Sequence, residues 1–272
     1  MKRIAASLLT ILAVSLTGCF DVEQTLTLDK DLSGKAGFTM KVNMEPMAFF
    51  MAKLQHQMSG QEGEPTAAEV EKVRQEMLAS KKTEQKDRGA EQAELRKSLP
   101  PGVRLLESKV EDKGLGMDVH LAFAFDHASK LGLIHLPQSG GKQGEASEPA
   151  AGGPGGPGGP EAKNPFDEPF GNLQIVDEGK TLLLTTKTVN PLAEQQSEMG
   201  GGGEVPPDVQ KQVEEMFKGL RIAYRIEAPF EVVEHNATRR EGKTLIWEWD
   251  LASLQKMKPE QLAQGVRVRY RK

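Results

Sequence analysis

From Phe20 onward, apolar and polar residues alternate. Phe20, Val22, Leu26 and Leu28 interleave with Asp21, Glu23, Thr25 and Thr27, and after a turn at Asp29 to Gly34 the pattern resumes at Ala36, Phe38, Met40 and Val42. A period of two predicts a β-hairpin with one buried face. Pro46 then sits at a first-turn position of a helix whose Met47, Phe50, Met51, Leu54 and Met58 fall at i, i+3, i+4, i+7 and i+11, a soft apolar stripe. Thr66 and Glu69 have capping-box spacing ahead of Val70, Val73 and Met77, so a second, mostly polar helix is expected, ending before Pro100.

The clearest hairpin pattern follows, with Val103 to Val110, a turn at Glu111 to Gly114, and then Leu115, Met117, Val119, Leu121, Phe123 and Phe125 on one face. Asp126 is placed to cap a short helical segment through Leu133. Strand patterns return at Leu173 to Val176 and Thr181 to Thr188, and a helix is expected around Val209, Val213, Met216 and Phe217. Further strands are expected around Leu220 to Ile226, Phe230 to Val233 and Leu245 to Trp249. Asp250 is placed to cap a helix bearing Leu251, Leu254 and Met257, and Val266, Val268 and Tyr270 alternate with Arg267, Arg269 and Arg271 in a last strand.

Hairpins with helices inserted between them predict an α+β fold on antiparallel sheet. Residues 19–272 are expected to form a single such domain. Gly and Pro dominate about residues 137–169, including the Gly152 to Pro160 run, and a flexible insertion is expected there, with a second loose loop at 190–206.

The chain before the first strand has a different character. Lys2 and Arg3 precede an apolar run from Ile4 to Leu16, too short to span a bilayer, which needs ~20 apolar residues. It closes on Leu16-Thr17-Gly18-Cys19 and holds the chain's one cysteine, a pattern that resembles the lipobox of bacterial lipoproteins. The resemblance implies a signal peptide at 1–18, cleavage between Gly18 and Cys19, and acylation of Cys19 by diacylglycerol with a further fatty chain such as palmitate. Two or three chains hold a protein far more firmly than one, at ~0.8 kcal/mol per buried methylene. Phe20, in place of the aspartate associated with inner-membrane retention, implies the periplasmic face of the outer membrane in a two-membrane bacterium. The strand begins beside Cys19 without a Gly/Ser-rich tether, so the fold is expected close to the lipid surface.

Composition narrows the chemistry. The net charge is −4, and loss of Lys2 and Arg3 with the signal deepens it to −6, so no basic excess points to nucleic acid. Acylation consumes the thiol, excluding a disulfide or a cysteine nucleophile.

The acidic strand directly after the lipobox cysteine, the hairpin Asp29-Lys-Asp-Leu-Ser-Gly34, and the segments Pro229 to Asn236 and Gly242 to Leu251 together resemble the LppM-type lipoprotein domain. That resemblance implies an export-anchored α+β domain with no established enzymatic activity and no catalytic residues to carry over.

His56, His120, His127, His135 and His235 are scattered without metal-ligand spacing, and no Gly-x-Ser-x-Gly elbow, His-Glu-x-x-His helix or phosphate loop occurs. No cofactor or metal is expected. Met40, Met44, Met47, Met51 and Met58 form the one unusual cluster. Its helical members, with Phe50 and Leu54, could face the core, line a groove for an amphiphile, or, as thioethers, hold Cu(I). The row Arg267, Arg269, Arg271 could guard a sheet edge or lean on anionic headgroups. Asn236-Ala-Thr238 matches a glycosylation acceptor formally and reads as a turn. The resulting expectation is a non-enzymatic, lipid-anchored envelope protein that binds an amphiphile or a protein partner near its membrane. The alternative is an envelope-polymer hydrolase with a carboxylate pair that the sequence does not identify.

Overall fold

A computed structural model describes residues 20–61, 63–84, 88–136, 169–171, 173–186, 214 and 217–272. The first alternation forms β1 (Phe20–Leu28) and β2 (Gly34–Asn43), paired antiparallel from Phe20 opposite Val42 to Leu28 opposite Gly34. Gly34 closes their turn at φ 155°, where an added Cβ would lie 2.0 Å from the Thr27 carbonyl oxygen. Three helices follow, α1 (Glu45–Met58), α2 (Ala67–Glu84) and α3 (Arg88–Ser98), and then the hairpin of β3 (Val103–Lys113) and β4 (Gly116–Phe125). The latter pairs with β2.

Strand β3 runs further than the alternation suggested. Backbone pairing continues through its polar end to Lys113 opposite Gly116, and Leu115 falls in the turn rather than in the strand. A 3-10 helix (Ala128–Leu133) is capped by His127, which accepts from the Ser129 N–H, whereas Asp126 pairs with Lys130. The remaining elements are β5 (Gln174–Asp177), β6 (Thr181–Thr186), β7 (Arg221–Glu227), β8 (Glu231–His235), β9 (Arg239–Glu241), β10 (Thr244–Asp250), α4 (Leu251–Lys256), α5 (Pro259–Gln264) and β11 (Val266–Arg271). Asp250 and Ser253 form the capping box of α4.

Seven strands form one sheet in the order β3-β4-β2-β1-β7-β10-β9, and four form a second in the order β5-β6-β11-β8. The β1–β7 pair is parallel, and every other pairing among the described strands is antiparallel. The fold is therefore α+β, as the hairpin pattern predicted. The inward positions of both sheets meet in one apolar cluster that includes Phe38, Phe123, Leu184, Trp247 and Tyr270. Burial of such side chains at ~25 cal/mol per Å² of apolar area is what holds the layers together.

The final strand is not an edge. Lying between β6 and β8, β11 sends Val266, Val268 and Tyr270 into the core. The expected insertion lies outside the described residues except for Pro169, which is buried; the loop at 190–206 and the helix expected near Val209 also fall outside them, apart from Glu214 and Phe217.

Candidate functional site

In α1 the residues that pack are Ala48, Ala52 and His56, at i, i+4 and i+8. Their small face meets Val73 and Leu115 in a second apolar cluster, flanked by Met44, Val70 and Met77. Alanine permits this approach, since the separation of packed helices is set by the side chains at their contact. The expected packing stripe is thereby turned away from α2. Met51 is 38% exposed, Leu54 41% and Met58 81%, with Met47 and Phe50 half-buried beside them. Phe49, which the periodicity did not single out, is 44% exposed on another flank. Of eight exposed large hydrophobic side chains among the described residues, three, Met51, Leu54 and Met58, share this one helix face, which makes it a candidate contact surface. The core reading of the stripe is corrected. The Cu(I) reading fares no better, because Met40 packs against the main core and Met44 against the second cluster instead of converging with Met51 and Met58.

Polar contacts hold the α1–α2 pair in shape. His56 Nδ1 lies 3.0 Å from Glu69 Oε1. The other Glu69 oxygen accepts from the Thr66 N–H at 2.7 Å and the Thr66 hydroxyl at 2.8 Å, completing the capping box. These donors, with His56 the largest influence, pull the Glu69 carboxyl down to about 2. Lys53 pairs with Glu64 at 2.9 Å and Arg74 with Glu45 at 3.1 Å. Lys81 of α2 donates to the carbonyls of Gly114 and Gly116 and pairs with Asp112, which fixes the helices to the β3–β4 turn.

The register places this unit. Phe20 is opposite Val42, and Asn43 is opposite Gly116, so the start of β1, the exit of β2 into α1 and the β3–β4 turn share one end of the seven-stranded sheet. Gly18 and Cys19 lie outside the described residues, but Phe20 is the next residue in the chain. It stacks on Phe217 at 5.7 Å.

At that same end an ion network that no local pattern announced covers outward positions of β1, β7 and β10. Arg221 donates to Asp21 at 2.8 Å, Glu23 at 2.9 Å and Glu248 at 2.7 Å, and Arg225 and Arg239 extend the cluster to Glu23 and Glu248. The Arg221 guanidinium holds the Glu248 carboxyl below its usual range. On the same outward positions Ala223, paired in register with Glu23 and Glu248, and Ile246, paired with Arg225, are fully buried.

Two further regions offer a ligand little. A cavity of about 20 Å³, space for roughly one water, lies at Gln24, Leu26, Phe170, Thr186, Tyr224 and Ile226. Tyr224 is paired with Gln24 there and pushed up to about 12 by burial. The Arg267, Arg269, Arg271 row is matched by acids. Arg269 contacts Glu178 at 3.1 Å and Glu234 at 2.8 Å, and Arg271 contacts Glu231 at 2.9 Å, so the row is neither an edge guard nor a free basic face.

No family model matches the chain, and no curated protein matches it in sequence. Among solved structures it is similar to the folded domain of Mycobacterium tuberculosis LppM, determined by NMR. The TM-score is 0.40 and the identity 7%, over 94% of this chain and 91% of that chain. Nothing about ligands or partners is carried over at that similarity.

Among the described residues no three His, Cys, Asp or Glu side chains are grouped as a metal site, and no helix is long and apolar enough to cross a membrane. His120 contacts Thr39 Oγ1 at 3.0 Å and His235 accepts from the Ala237 N–H at 3.1 Å, both local structural roles.

Proposed function

We propose that this protein is an extracytoplasmic lipoprotein, acylated on Cys19. Its folded domain is a non-enzymatic binding module that takes an amphiphile on the exposed face of α1. The carrying observation is that Met51, Leu54 and Met58 lie open on a helix seated at the sheet end where the chain enters from Cys19. Thioether and aliphatic side chains on one face form a polarizable, adaptable surface suited to acyl chains. In a two-membrane bacterium the site is the periplasmic face of the outer membrane, given Phe20 after the cysteine.

The hydrolase alternative has less to stand on. A general acid working near neutrality needs a carboxyl raised by burial or a like charge. Among the described residues the carboxyls of Asp31, Glu69, Glu111, Asp126, Asp177, Glu178, Glu248 and Asp250 are instead each lowered by their donors. Buried polar side chains there are His56 and Thr186, neither of them an acid.

Mass spectrometry of the N-terminal peptide from the full chain expressed in a bacterial host tests the reading. Acylated Cys19 as the first residue is expected, with Cys19→Ser accumulating uncut precursor; an unmodified cysteine or another start would overturn it. Binding is read separately, as loss of an acyl-chain probe from the Leu54→Gln, Met58→Gln protein.

A further inference from the structure

We infer that the occupant of the exposed α1 face is the surface of the bilayer that holds Cys19 itself, so that the domain docks on its membrane by two contacts. This rests on acylation of Cys19 as proposed above and names the amphiphile as a lipid surface rather than a free molecule.

Three observations carry it. First, no residue intervenes between Cys19 and the first residue of β1. The sheet end at Phe20 is one Cα step, about 3.8 Å, from the acylated residue. Second, β2 runs back to that end, with Val42 opposite Phe20, and delivers the chain into α1 after Met44. The helix is ~21 Å long at 1.5 Å per residue, so its whole apolar face stays within about that distance of this end. Its packing on Leu115 and the bonds from Lys81 to the β3–β4 turn keep it at this end. Third, the packed face of Ala48, Ala52 and His56 is turned toward α2, which leaves Met51, Leu54 and Met58 outside that contact and exposed.

The chemistry of the face identifies the kind of lipid contact. Its neighbours on the helix are Gln55 and Gln57, and Lys53 is engaged by Glu64. Attraction to anionic headgroups adds ~1 kcal/mol per basic residue near a membrane, and this flank presents no such row. The contact is apolar insertion into the headgroup and acyl boundary, as for an interfacial amphipathic helix. It requires no anionic lipid and resists salt.

The chain's one cysteine makes the test direct, because acylation blocks it and a second cysteine can be labelled alone. Full-length acylated protein carrying Leu54→Cys or Met58→Cys is labelled with a polarity-sensitive fluorophore and reconstituted into phosphatidylcholine vesicles containing brominated lipid. Val233→Cys, exposed on β8 of the second sheet, is the reference. All three positions are exposed, so the substitutions leave the fold intact. Quenching at 54 and 58 at least threefold above that at 233, unchanged in about 0.5 M salt, is the expected result. Equal quenching at all three positions overturns the inference. So does shielding that grows with protein density in the vesicle, which means a second copy, or shielding that needs an added soluble amphiphile, which means a free-ligand groove. The N-terminal mass of the same sample separates the two failures. Acylated Cys19 with unquenched labels overturns docking alone, and unacylated Cys19 overturns both.

Discussion

The indole N–H of Trp247 donates to Asn236 Oδ1 at 2.7 Å, joining β10 of the larger sheet to the segment that follows β8 of the smaller one. The same oxygen accepts from the Arg267 N–H at 2.8 Å, and Asn236 Nδ2 donates to the Gly265 carbonyl at 2.8 Å. Every polar atom of this side chain is used, which is why the Asn-Ala-Thr triplet is a structural joint.

Asn236→Ala should therefore destabilise the fold by about 2–4 kcal/mol, less than the full ~1–3 kcal/mol for each of the Trp247 donor and two backbone groups, because Asn236 is exposed and water reaches part of the site. Denaturant unfolding followed by tryptophan emission measures it. A loss below about 1 kcal/mol would mean that solvent replaces Asn236 freely.

The two faces of α1 should respond in opposite ways. Ala52→Leu forces a large side chain into the contact with α2 and should cost ~1–3 kcal/mol as overpacking. Leu54→Ala and Met58→Ala should stay within ~0.5 kcal/mol, as exposed substitutions do. Phe50→Ala, half-buried, should fall short of the ~3–5 kcal/mol of a core aromatic cavity. Thermal unfolding of the four variants checks the order; a costly Leu54→Ala would put the stripe back in the core.

The Glu69 carboxyl is ionised down to about 2 in the fold, against an ordinary value of 4.5. A depressed acid contributes stability that is fully present above its unfolded value and is lost as pH falls through its folded one. The advantage of the native chain over Glu69→Gln should be flat above about pH 4.5 and decline toward pH 2. Urea titrations at successive pH values decide this, and a pH-independent difference would show that Glu69 contributes no linked proton.

Arg221 faces three carboxylates with its side chain 29% exposed. Arg221→Met should cost about 1–3 kcal/mol, below the ~3–5 of a fully buried broken pair because solvent screens the acids left behind. A double-mutant cycle with Glu248→Gln should give a favourable coupling of ~0.5 kcal/mol or more. Additive effects would make the cluster incidental.

Local patterns carried much of this fold. Alternation located β1, β2, β4, β7, β10 and β11 with their inward residues, because a strand's two faces differ by one residue step. The Thr66–Glu69 and Asp250 caps were legible because a helix start needs an acceptor at a fixed offset. The stripe on α1 was legible as a stripe, but what covers it was not. Periodicity counts alanine as weak signal, yet Ala48 and Ala52 make the close face, and the larger Met and Leu side chains are left outside. The parallel pairing of β1 with β7, the interior place of β11 and the convergence of Asp21, Glu23, Arg221 and Glu248 were likewise decided only in three dimensions. Strand neighbours are chosen by backbone hydrogen bonds common to all sequences, and residues 200 positions apart meet only once the chain between them has folded.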